Sequence, residues 1–226
     1  MILRAFLYLL GGLCALLVIA PVAAWFWIAS DLPDPRAVLD PETAPCPAPP
    51  AFVDANIPPA IRAALIAAED PAFPKKRGLP SLNLLFGWDA HNLPLPALAA
   101  RLQLAKTAQR TMRSQLNWLV QTDRMALHLS KDEIEEAVLQ HSSFGRGAYG
   151  FSCAAQVYFG KSPSALSLSE TVALAGLLKA PSFYDPGLHP NEALSRRNTI
   201  IDGMQSAGAI SDADALAAKA ELLIAK

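Results

Sequence analysis

The chain has 226 residues, 52% of them hydrophobic and 17% charged, with net charge −1 and mean hydropathy +0.25. That composition excludes a disordered chain and excludes nucleic acid as a partner, which would call for a basic surplus. Three cysteines are too few for a disulfide scaffold.

The hydrophobicity is concentrated at the start. No residue from Ala5 to Ser30 is charged, and a membrane-crossing helix needs about 20 such residues. A cleaved signal peptide with Val22-Ala23-Ala24 as its site is the rival reading. The run outlasts a usual signal core, however, and ends in Trp25 and Trp27, which suit an interfacial aromatic belt. Residues 1–30 are therefore predicted to be a transmembrane anchor. Arg4 precedes the run, while Asp31, Asp34, Asp40 and Glu42 outweigh Arg36 after it. The positive-inside rule then places the N-terminus in the cytoplasm and the rest outside. Residues 31–59 hold nine of the 19 prolines, so residues 31–56 are expected to be a semi-rigid, extended linker. Residues 57–226 are long enough for one domain with a sizeable core.

Beyond the linker the chain reads as mainly α. Pro58 and Pro59 suit a first helical turn, and Ile61, Leu65 and Ala68 follow at helical spacing. Pro71 ends this helix near Glu69-Asp70. Residues 79–96 are apolar, proline-punctuated and without helical periodicity. There Leu84, Leu85, Phe86 and Trp88 are expected to form a partly exposed apolar patch facing the anchor. One long helix is expected over Leu95 to Leu129, with Leu98, Leu102, Ala105, Met112, Leu116, Leu119 and Leu127 as its apolar stripe. Ser130 and Glu133 form a capping box that opens a helix to about Gln140. Further helices open at Leu168-Ser169-Glu170 and at Pro190-Asn191-Glu192. No strand or hairpin signal stands out.

Two short motifs do not carry chemistry. Gly145-x-Gly147-x-x-Gly150 matches a dinucleotide fingerprint but follows a helix, whereas the fingerprint needs a strand. Gly160-Lys161-Ser162 lacks both the first glycine of a phosphate-binding loop and its leading strand. The four histidines have no metal-ligand spacing.

A longer signature does. It runs through Glu133-Ile134-x-Glu136-x-x-Leu139, Phe144-Gly145-x-Gly147-Ala148-Tyr149-Gly150 and Ala154-Ala155-x-x-Tyr158-Phe159-Gly160-Lys161. It continues through Leu166-x-Leu168-x-Glu170, Leu174-Ala175-Gly176-Leu177, Ala180-Pro181-Ser182-x-Tyr184-x-Pro186 and Arg196-Arg197-Asn198. Together these resemble glycosyltransferase family 51, the peptidoglycan polymerase module of class A penicillin-binding proteins and monofunctional transglycosylases. The resemblance covers roughly residues 53–210. It implies a lysozyme-like helical fold on the outer face of a bacterial inner membrane. It also implies joining of lipid II units into glycan strands, with release of undecaprenyl pyrophosphate. Implied partners are lipid II, the glycan strand, the membrane and cell-wall synthesis proteins. No cofactor is required, and a divalent cation at the pyrophosphate stays open.

By the same resemblance Glu69 is the catalytic base and Asp70 and Phe73 belong to its motif, with Lys76 standing where the family has histidine. A carboxylate within reach of a sugar hydroxyl takes its proton in the transition state, a gain of about 10²–10⁴ in rate. Of the second family motif only Gln103, Leu104 and Lys106 match. Counted back from Ser130 without gaps, the family's second catalytic acid falls on Trp118. Asp123 is a poor substitute, about 140° further around the helix. Lys106, Arg110 and Arg113 share a helix face at spacings of four and three and suit a pyrophosphate. Two functions stay open: a divergent polymerase using Glu69, or an impaired relative that binds lipid II, glycan or a cell-wall partner. Cys46 and Cys153 both lie outside the cytoplasm in this topology, where disulfides form. The sequence leaves their pairing open.

Overall fold

The computed structural model of the protein describes residues 19–40, 46–47, 58–85, 93–105 and 111–225. Its secondary structure is helical, and among the described residues the only β pairing is an isolated bridge between Ser143 and Tyr149. The helices are α1 (19–30), α2 (Pro59–Glu69), α3 (Pro80–Leu85), α4 (Leu95–Leu104) and α5 (Met112–His128). They continue with α6 (Lys131–His141), α7 (Phe151–Phe159), α8 (Leu168–Leu177), α9 (Pro190–Ser206) and α10 (Asp212–Ala220).

Local sequence explains the boundaries. Pro59 opens α2 with its ring preset for the helix. Ser130 and Glu133 cap α6 reciprocally, and Ser167 with Glu170 does the same for α8. Each box satisfies two of the amide groups that a helix start leaves without partners.

α2 is the seam of the molecule. Ile61 and Leu65 face one apolar cluster, built on α4 to α8 and the Gly-rich loop. Ala64 and Ala68 face a second, made with α8, α9 and α10. The four positions lie on two adjacent helix faces, which is how one helix serves both clusters. α8 is buried from Ser169 to Leu177, as expected of a helix apolar on all sides. The seam ends at Glu69, so the fold delivers that carboxylate between the clusters.

Three expectations are corrected. The long helix over Leu95–Leu129 is two helices. Ala105 closes α4, and Thr111 starts α5 through a capping box with Ser114. Thr111-x-x-Ser114 is a start signal that lacks the usual glutamate, and a stripe count overlooks it. The stripe itself also shifts. Met112, Leu116 and Leu127 are exposed, whereas Val120, Gln121, Thr122, Asp123 and Met125 are buried. Residues 31–40, finally, are docked rather than extended. Pro35–Leu39 form a 3₁₀ turn capped by Asp34, and Val38 is buried in the first cluster. Cys46 is disulfide-bonded to Cys153 with Cα atoms 5.8 Å apart.

Among the described residues no helix is long and apolar enough to cross a membrane. Residues 1–18 of the expected anchor lie outside the described residues. In α1, Ile19, Val22, Phe26 and Trp27 are exposed. In the segment expected to be an apolar patch, Phe86 and Trp88 lie outside the described residues. Leu85 is exposed, and Leu79 and Leu82 share its face at intervals of three.

Candidate active site

Glu69 is the last residue of α2 and only 6% exposed. Its carboxyl is held above the ordinary glutamate range, because burial penalises the charged form; Arg196 and Lys179 oppose that rise. Arg196, on α9, reaches Glu69 Oε1 end-on with Nη2 at 3.4 Å. The same Nη2 donates to the Ala68 carbonyl at 2.9 Å. The guanidinium lies over the Tyr184 ring, 5.8 Å from its centroid. Gly176 makes room for it, since a Cβ there would come within 3.0 Å of Arg196 Cγ. A buried carboxyl with raised proton affinity, beside two cations, is equipped to accept a proton from a hydroxyl.

Asp70 turns the other way. Its Oδ1 meets Lys76 Nζ at 3.1 Å, and its Oδ2 accepts from Leu95 N at 3.4 Å at the start of α4. Lys76, in the family's histidine position, is thus this aspartate's counter-ion. Phe73 is buried. Lys131 donates to the Phe73 carbonyl at 2.9 Å and to the Pro74 carbonyl, fastening the turn to α6. Asp70, Phe73, Lys76 and Lys131 line a small pocket with Leu129 and Ile134.

Trp118 is half-buried. Its Nε1–H donates to the Ala97 carbonyl at 2.8 Å, and Arg101 stacks over its ring at 5.4 Å. It ties α4 to α5, a packing role. Asp123 is buried and bound on both oxygens, by Ser81 N at 3.0 Å and Ser81 Oγ at 2.6 Å. The Trp25 side chain also donates to it. Burial raises its pKa while these donors lower it. Asp123 therefore anchors α3 and α1. The acids of α6 are engaged as well: Arg62 pairs with Glu135 at 3.2 Å and Glu136 at 2.8 Å, and Arg36 with Glu133 at 3.3 Å.

The expected substrate-binding residues of α4 and α5 face the chain's own N-terminal segment. Gln103 Nε2 donates to the Asp34 carbonyl at 2.7 Å, and its Oε1 accepts from Gln121. Arg113 pairs with Asp31 at 3.2 Å and stacks over Trp27 at 5.9 Å. Arg124 and Gln121 both donate to the Pro33 carbonyl. Lys106 and Arg110 lie outside the described residues. Thr111 has the extended backbone of a helix cap, so α5, which carries Arg113, starts only after it. Among the described residues no cluster of three metal-ligating side chains occurs, and Asp70 is paired with Lys76.

Sequence reasoning missed Arg196 and Lys179. Arg196 stands in the quoted Arg196-Arg197-Asn198 motif, but its contact with Glu69 spans 127 positions, which no spacing rule reaches.

The helices from α4 to α9 match a known class. Residues 97–205 match the family described as Transglycosylase, and the chain belongs to that family, glycosyltransferase family 51. The matched span begins after Glu69. Relatives include penicillin-binding protein 1A of Pseudomonas aeruginosa, 34% identical over 164 residues, which cover 69% of this chain and 20% of that protein. Penicillin-binding protein 1A of Mycobacterium tuberculosis is 34% identical over 177 residues, 72% of this chain and 22% of that one. The crystal structure of penicillin-binding protein 1A from Haemophilus influenzae superposes with a TM-score of 0.49 at 25% identity, over 78% of this chain and 18% of that one. The chain thus spans about a fifth of the length of these relatives.

Proposed function

We propose that this chain is a peptidoglycan glycosyltransferase-like protein, anchored by residues 1–30 at the extracytoplasmic face, that binds lipid II and its glycan with impaired polymerising chemistry. The carrying observation is Trp118. A gapless count back from Ser130 puts it where the resemblance expects the second acid, and its indole N–H is spent on the Ala97 carbonyl. The nearby acids are bound elsewhere, Asp123 by Ser81 and the glutamates of α6 by Arg62 and Arg36. The exposed leucines of α3 and the exposed apolar residues of α1 favour seating the domain against a bilayer.

A second reading, polymerisation of lipid II with release of undecaprenyl pyrophosphate, is favoured by Glu69, whose burial and raised pKa suit a base. Lipid II polymerisation by the full-length protein in detergent separates the two. The first reading expects wild-type product near background and an increase in Trp118→Glu, with melting curves alongside because a buried glutamate destabilises. Robust wild-type polymerisation would overturn it and establish the second.

A further inference from the structure

Beside the Glu69 site the chain displays an aromatic surface that the acid–base argument does not use. Phe183 is 54% exposed, although a phenyl ring is normally buried. Its ring stacks on His189 with centroids 6.0 Å apart and planes 25° from parallel. It meets Tyr184 edge-on at 5.0 Å. Tyr184 in turn lies under Arg196, the residue that holds Glu69. One line of contacts therefore runs from the exposed ring to the candidate base.

The loop that carries these rings is rigid. Asp185 is buried at its centre and takes Arg146 Nε at 2.7 Å and Nη2 at 2.6 Å. It also accepts from Gly187 N at 2.8 Å, and its carbonyl accepts from His189 N at 2.7 Å. The amides of Phe183 and Tyr184 both donate to the Ala180 carbonyl at 3.0 Å. A Cβ at Gly187 would displace the Arg146 guanidinium from its place beside Asp185. Exposed rings on a fixed loop are preorganised for a ligand, since little ordering remains to oppose binding.

The chemistry of the surface selects the ligand class. The axial C–H face of a pyranose is apolar and flat enough to lie on an aromatic ring, while its hydroxyl and acetamido edges need polar neighbours. Phe183 supplies the ring, and exposed Ser182 and His189 supply polar groups beside it. A bilayer is better matched by the aliphatic face of α3. We infer that Phe183 and His189 form a sugar-stacking platform for a glycan of β-1,4-linked N-acetylhexosamines, alongside Glu69. This rests on the proposed glycan-binding reading and adds the residues that seat the sugar.

The test is titration of the full-length protein in detergent with a β-1,4-linked N-acetylglucosamine tetrasaccharide, which has neither lipid nor pyrophosphate. Wild type should bind it. Phe183→Ala should lose about tenfold or more in affinity, as expected for one aromatic contact, and Phe183→Trp should retain binding. Melting temperatures should not change, because the ring is exposed. Equal tetrasaccharide binding by wild type and Phe183→Ala overturns the inference. If wild type binds lipid II in the same detergent but not the tetrasaccharide, the platform is wrong and the proposed function stands. If it binds neither, both fail. If Phe183→Ala keeps the tetrasaccharide but loses binding to phosphatidylglycerol vesicles, the ring is a membrane contact and the inference is overturned.

Discussion

The end of α2 and the middle of α5 each bury a carboxylate, and they use it in opposite ways. Glu69 and Asp123 are 6% and 2% exposed, and burial raises the pKa of both. Asp123 is bound by short hydrogen bonds from Ser81 and by the Trp25 side chain. Glu69 is held end-on by one guanidinium at 3.4 Å, with a second cation nearby. Burial alone therefore does not make a base. A carboxylate bound on both oxygens by neutral donors is a structural anchor. One met by cations at longer range, with burial still holding its pKa up, is the candidate proton acceptor.

The largest effect should come from the anchor. Asp123→Ala leaves the Ser81 amide and hydroxyl and the Trp25 donor without their acceptor. It should lower the unfolding free energy by about 3 kcal/mol or more in urea titrations. A loss below about 1 kcal/mol would break the contrast. Glu69→Gln should behave the other way. Stability should change by less than about 1 kcal/mol, while any polymerisation the protein performs should fall at least about a hundredfold, or about 2.7 kcal/mol of barrier. Turnover unaffected by this substitution would remove Glu69 from the chemistry.

The pH dependence sharpens the same contrast. The folded-state pKa of Glu69 lies above the ordinary glutamate value of 4.5, so the native state binds this proton more tightly than the unfolded one. Its contribution to stability is full below that value and is lost as pH rises through the raised pKa. The difference in unfolding free energy between wild type and Glu69→Gln should therefore decline as pH rises from the ordinary glutamate value through the raised pKa. A flat difference would mean that burial does not perturb Glu69. The smallest effect belongs to Arg113→Ala. It removes an exposed pair with Asp31 and should cost about 0.2–1 kcal/mol, vanishing in high salt.

The second half of the fold was legible because its signals are local. Ser130-x-x-Glu133 sits where α6 begins, and Pro190 is the first residue of α9. The first half was less so. The α4–α5 break rests on a Thr111–Ser114 box, and α3 is a six-residue helix whose first turn is anchored by Asp123, 42 positions away. α7 follows Gly150, whose φ of 81° is not a capping pattern that side-chain chemistry announces. Proline content indicated an extended linker, yet Val38 finds a place in the core. Composition reports chain stiffness and not what the chain packs against. At the candidate site, the motif nominates Glu69, while Arg196 reaches it only through the packing of α9 on α2. Gln103 and Arg113 were recognised as polar and basic, but the segment that occupies them comes from residues 31–34.

The bond between Cys46 and Cys153 gives the molecule a second covalent route. Tension applied through α1 first meets the docked residues 31–40, and at Cys46 it divides between the backbone and the disulfide to α7. A cut anywhere in residues 48–57 would leave both pieces joined until a reductant is added. The protein would then migrate as one species on a non-reducing gel and as two on a reducing one. Once the backbone is cut there, the covalent link between the two pieces depends on the oxidation state of one sulfur pair.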